Sequence, residues 1–171
     1  MKKHVLDILD LLFLIAFTSF FFIHGPIKYN YTGLLNDPST KGFATILCIV
    51  WIVLLFIHLY PLLKRSICTK PVQQLILLLI CILCTMCIPY ASRGDFLSQM
   101  HLLFGLATII DLHWILLHFI YFNQNITFFY IGCLLLSGAF VLTYSAITGI
   151  SEWIFIVGLM ISLNRLYSYK K

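Results

Sequence analysis

The stretch SQMHLLFGLATIIDLHWILLHFIYFN, from Ser98 to Asn123, decides how this chain is read. It is long enough to cross a bilayer, whose hydrocarbon core takes about 20 apolar residues of helix. It also carries His101, Asp111, His113 and His118. An ionisable side chain at membrane depth costs roughly 2.5–3.5 kcal/mol on insertion scales, so such groups persist where they have a partner or a task. This segment is the candidate functional helix, and the remaining chain is read for what it offers that helix.

The surroundings are a membrane protein's. Of 171 residues, 61% are hydrophobic and only 10% charged, and the mean hydropathy is +1.01. Those values point to an all-α polytopic helical bundle forming one transmembrane domain over residues 1–171. Its apolar runs are continuous rather than alternating, which excludes a membrane β-barrel. The net charge of +5 sits at the ends of apolar segments, so no nucleic-acid partner is expected. The first apolar segment is long and lacks a small-residue cleavage site, unlike a cleavable signal peptide. Most of the six cysteines lie inside apolar segments and do not define a disulfide framework.

Turn residues divide the chain into six expected spans, approximately 5–23, 43–63, 72–90, 99–122, 126–146 and 152–166. Six spans place both termini on one side. Eight basic residues then share that side (Lys2, Lys3, Lys64, Arg65, Lys70, Arg165, Lys170, Lys171), against three opposite (Lys28, Lys41, Arg93). The positive-inside rule puts the termini in the cytoplasm and the protein in the cytoplasmic (inner) membrane. Asp7 and Asp10 fall in the first turns of the first span, where a helix N-terminus tolerates carboxylates. Glu152 and Trp153 open the sixth span, as an acid and an interfacial aromatic do on structural grounds alone.

In this topology the histidines fall at paired depths. His24 ends the first span and His101 opens the fourth. His58 and His118 each lie about four residues, roughly 6 Å, from the inner end of their spans. Two histidines at matched depth on neighbouring helices are what bis-imidazole haem ligation needs. Helical geometry restricts the picture. At about 100° per residue, His101 and His118 point about 100° apart, and His113 lies roughly 120° from one and 140° from the other. Asp111 and His118, seven residues apart, share a face. One haem between the second and fourth spans is better supported than two, and His113 stands as an alternative ligand. Bland readings stand beside these: His4 is a solvated terminal residue, and His24 read alone is a wetted headgroup residue.

The segments Met1 to Leu9, Phe56 to Arg65 and Asp95 to Phe119 resemble the small membrane b-type cytochromes. The likeness is greatest to the flavinylation-associated cytochrome group and looser to di-haem quinone-linked cytochrome b subunits. It covers the first four spans. It implies His58, His101, His113 and His118 as haem ligands, with His24 the loosest match. It also implies haem b, one or two, a quinone or quinol partner, membrane lipid, and other membrane or flavoprotein redox subunits. The expected function is electron transfer between a quinone pool and a redox partner through His-ligated haem. Asp111 would serve as proton donor to a bound quinone or as the acceptor fixing a ligand imidazole's tautomer. Its bland reading is a protonated, hydrogen-bonded acid.

Two other functions suit the same residues. The first is a non-redox small transporter, or an anchoring or assembly subunit, whose intramembrane His and Asp line a proton or substrate path. The second is a quinone-linked thiol oxidoreductase using Cys81, Cys84 and Cys87, which repeat every third residue. Thiolates are disfavoured in hydrocarbon, so small packing side chains are the simpler reading of that stripe.

Overall fold

The computed structural model describes residues 3–25, 27, 30–65, 70–88, 95–120, 123–144 and 147–168, apart from the side chains of 32, 65, 71, 117–120 and 168. Among these residues there are seven α-helices and no strand: α1 (Lys3–His24), α2 (Tyr31–Asn36), α3 (Lys41–Arg65), α4 (Pro71–Cys87), α5 (Phe96–Ile120), α6 (Gln124–Tyr144) and α7 (Gly149–Ser168). Five of them, α1, α3, α5, α6 and α7, are long and apolar enough to cross a membrane, whereas α4 has 17 residues. This is an all-helical, multi-pass membrane protein. A spanning segment without water must satisfy its own backbone, and a continuous apolar run does so as a helix. Large apolar side chains left on the outside, among them Leu12 on α1 and Phe128, Leu135 and Leu142 on α6, are what lipid contact requires.

Local chemistry sets the helix ends. Gly25 closes α1 with a φ of 83°, a left-handed conformation that glycine adopts without steric cost. α5 begins three residues before the expected fourth span because Asp95 caps it: Asp95 accepts from the Ser98 amide at 3.3 Å and the Gln99 amide at 3.0 Å. α7 likewise starts at Gly149 rather than at 152. Thr148 and Ser151 cap it reciprocally, each side-chain oxygen accepting from the other's amide, at 3.4 and 3.1 Å. The expected third span is shorter as a helix, ending at Cys87, and residues 89–94 lie outside the described ones.

The polar segment between the first two spans contains a helix that residue patterning does not predict. α2 is a short turn capped by Asn30, whose side-chain oxygen accepts from the Gly33 amide at 2.8 Å. The Tyr31 hydroxyl donates to the Ala44 carbonyl, and its amide donates to the Glu152 carboxylate. Burial, with Cys48 and Glu152 close by, pushes the Tyr31 phenol above its usual range. At the other end of α2, the Ser39 hydroxyl and amide donate to Asp37 and hold that carboxyl below its usual range.

The chain divides into two compact units, Met1–His58 with Asn123–Lys171, and Leu59–Phe122. In the first, α1 runs antiparallel to α3, with Phe20 against Phe43 at one end and Asp10 against His58 at the other. It also runs antiparallel to α7, where Trp153 donates to Thr18 at 2.9 Å and Asn164 reaches Asp7 and Asp10. α3 and α7 are therefore parallel to each other. α6 and α7 form an antiparallel pair, joined where the Ser137 hydroxyl donates to the Ser151 carbonyl at 2.8 Å. In the second unit α4 and α5 are antiparallel, with Gln74 donating to Asp111 and the His101 ring bonded to the Ile88 carbonyl.

Candidate functional site

Asp10 lies seven residues into α1 and His58 seven residues from the end of α3. At 1.5 Å per residue each is about 10 Å from its helix end, and antiparallel packing brings equal depths together. Both are enclosed: His58 is 0% exposed and Asp10 4%. The His58 Nε2 lies 2.9 and 3.1 Å from the two carboxylate oxygens of Asp10. The Asn164 amide, from α7, donates to Asp10 at 2.7 Å and to Asp7 at 2.9 Å. One amide group thus holds two carboxylates that would otherwise repel each other. Tyr167 presents its ring to the edge of the His58 imidazole at 5.6 Å, enclosing the pair on that side.

Counting protons makes this cluster chemically informative. Burial favours a net-neutral pair, either a carboxylate with an imidazolium or a carboxylic acid with a neutral ring. In the first, both ring nitrogens carry protons. In the second, the acid donates to Nε2 and the ring proton sits on Nδ1. Both states put a proton on Nδ1, and that atom is buried with no hydrogen-bond partner among the described residues. The contrast with His113 is direct: its Nδ1 donates to the Ile109 carbonyl four residues back, at 2.6 Å. His58 holds a donor with no intrahelical outlet.

On its other side the pair borders a cleft of about 540 Å³ between α1 and α7. Lys3, Asp7, Asp10, Asn164 and Arg165 line its polar end, and Leu11, Leu14, Met160 and Ile161 line the remainder. The arrangement offers a carboxylate in contact with the cleft, an imidazole directly behind it, and an unsatisfied ring nitrogen beyond.

The remaining sequence-predicted residues fall elsewhere. His24 ends α1, half-buried and edge-on to the Phe20 ring at 4.9 Å. His101 is buried, its Nδ1 donating to the Ile88 carbonyl at 2.7 Å. His113 is half-buried on α5. Asp111 accepts from Gln74 through one oxygen, while the other is buried without a partner among the described residues. The His118 side chain lies outside the described residues, so its expected pairing with His58 has no geometry here. His101 and His113 thus bond to backbone carbonyls, and Asp111 to a side-chain amide. Among the described residues no three His, Cys, Asp or Glu side chains converge as a metal site would need. Along α4, Cys81 is buried, Cys84 half-buried and Cys87 exposed, because a three-residue step advances 300° and the stripe slips about 60° each time.

The fit of a haem iron to His58 is poor in this arrangement, since both carboxylate oxygens of Asp10 occupy the neighbourhood of Nε2. Asp10 and Asn164 are the site residues that residue-by-residue reading passes over. The legible signal was depth: Asp10 is the one carboxylate on the first span as far from its end as His58 is from its own. Comparison with protein-family models, with curated proteins and with solved structures returned no match.

Proposed function

We propose that this chain is a six-span protein of the cytoplasmic membrane, termini in the cytoplasm, in which Asp10 and His58 form a proton relay. The relay would belong to a small transporter or to an anchoring subunit of a membrane complex. The observation carrying this reading is the buried carboxylate–imidazole pair, with a cleft on one side and, on the other, an Nδ1 unpartnered among the described residues. A proton reaching Asp10 from the cleft passes to Nε2, giving a carboxylate and an imidazolium. Loss of the Nδ1 proton on the far side leaves a neutral ring protonated at Nε2, and exchange to the Nδ1–H tautomer resets it for the next proton. Asn164 keeps Asp10 aimed at the ring throughout.

Helix direction supports the span count. α3 and α7 are parallel, which requires an odd number of crossings between them. α4, α5 and α6 supply three, whereas without α4 the two helices would be antiparallel. At about 26 Å, 17 helical residues lie at the short end of what spans a bilayer. The excess of Lys and Arg at the terminal side supports cytoplasmic termini.

The test is proton flux into vesicles containing the purified protein, driven by a potassium diffusion potential and read by an entrapped pH dye. Asp10→Asn keeps an acceptor oxygen toward Nε2 and a polar partner for Asn164 but cannot carry the proton. Flux is expected to fall about 100-fold or more, the least that a positioned proton-transfer group typically contributes. Flux equal to that of the unsubstituted protein would end the relay reading.

Haem-mediated electron transfer is the second reading, favoured by His101 and His113. Each donates its Nδ1 proton to a backbone carbonyl, the kind of bond that orients iron-ligating rings. The two readings separate in an optical spectrum. Under the relay reading, protein purified from haem-supplied cells shows no Soret band and a negative pyridine haemochrome assay. A stoichiometric haem would install the second reading in its place.

A further inference from the structure

The cleft between α1 and α7 is graded along its length. Lys3 and Arg165 stand at its outer end, and Asp7 lies one helical turn deeper than Lys3, about 6 Å along α1. Leu14 lies a further 10 Å or so along the same helix. Two cations and two carboxylates share this wall, yet among the described residues the sole ion pair is that of Asp10 with His58. Lys3 and Arg165 pair with neither Asp7 nor Asp10. Charges of both signs that line one cavity without neutralising each other call for a ligand that also carries both signs. Leu11, which lines the cleft, is 58% exposed, so the cavity is open sideways to the lipid phase. Its volume lies within the range of small-ligand sites, roughly 300–1,000 Å³.

We propose that this cleft binds a phospholipid with a primary-amine headgroup, of the phosphatidylethanolamine type. The phosphate lies against Lys3 and Arg165, the ammonium turns in toward Asp7, and an acyl chain follows Leu11 and Leu14 into the bilayer. A primary ammonium offers three hydrogen-bond donors to carboxylate oxygens, whereas a choline headgroup offers none and a glycerol headgroup brings no positive charge. A lipid fits better than a soluble zwitterion because the opening faces hydrocarbon along Leu11. This inference uses the same cleft as the proton relay but does not need protons to move.

The experiment is native mass spectrometry of the detergent-purified full chain, delipidated and then titrated separately with phosphatidylethanolamine, phosphatidylcholine and phosphatidylglycerol. Retention of the ethanolamine lipid about tenfold above either of the others is expected. Asp7→Asn is expected to bring ethanolamine and choline lipids level. Lys3→Gln, at an exposed position that folding tolerates, is expected to weaken all three. Equal retention of the glycerol lipid would reduce the cleft to a phosphate site, and equal retention of the choline lipid would remove the amine contact. Either result overturns the proposal, as does retention of no lipid or indifference to both substitutions. Occupancy is read without any proton flux, so a cleft that retains no lipid could still serve the relay through Asp10, and a cleft that passes no protons could still hold the lipid.

Discussion

Asp10→Ala is expected to destabilise the folded protein by about 3–5 kcal/mol, the cost of removing one partner from a buried ion pair. His58 would be left fully enclosed, with neither Nδ1 nor Nε2 partnered among the described residues. Asn164 would retain Asp7 but lose its shorter bond, at 2.7 Å, to Asp10. The measurement is reversible denaturant unfolding in mixed micelles. Its informative companion is the double variant Asp10→Leu with His58→Leu. Replacing both partners by apolar side chains removes the desolvation cost together with the attraction, and such swaps are often neutral or stabilising by about 1–4 kcal/mol. The double variant is therefore expected to be at least as stable as the unsubstituted protein while showing no relay activity. That divergence separates a pair kept for chemistry from one kept for stability. A double variant as unstable as Asp10→Ala would show that the pair holds the helices together.

How far this was legible differs between the fold and the site. Apolar length places the membrane helices to within a few residues, because in lipid every backbone group must bond internally and a long apolar run has one solution. The ends slipped where short-range caps decide them, at Asp95 and at Thr148 with Ser151. α2 escaped because its order comes from distant partners, Ala44 and Glu152, rather than from its own six residues. Depth arithmetic singled out His58 and then sought another histidine to match it. Asp10 lies at the same depth on α1, but its place in the first turns reads as an ordinary helix-terminus acid. Helix rotation, which the apolar faces leave weakly specified in a chain this hydrophobic, is what turns it toward His58. Asn164, neutral and near a helix end, carries no signal until the three helices are assembled. Asp111 was visible as an intramembrane acid, but its partner Gln74 sits in the first turn of α4, where a polar residue attracts no notice.

The other large effect is expected at Gly158. On α7 it meets Cys133 of α6 so closely that an added Cβ would stand 2.6 Å from the cysteine Cβ and 2.7 Å from its Sγ. The sulfur could turn away about χ1, but the Cβ is fixed to the backbone, so α6 itself would have to move. Membrane helices associate through close packing of this kind, there being no hydrophobic drive between apolar surfaces in lipid. Gly158→Ala is therefore expected to cost about 1–3 kcal/mol, as overpacking does, and Gly158→Leu more. The pattern of rescue tests the cause. Cys133→Ala removes the sulfur but keeps the Cβ at fault, so it is expected to restore little. Cys133→Gly removes both atoms and is expected to recover most of the loss in the Gly158→Ala background. α6 is exposed to lipid along nearly all of its length, with Tyr130 as its buried residue, and so has few other contacts to hold it. Separation of α6 from α7, read by loss of a cysteine crosslink engineered across the pair, is expected to precede global unfolding in Gly158→Leu. Simultaneous loss would mean that the contact at Gly158 is not what seats α6.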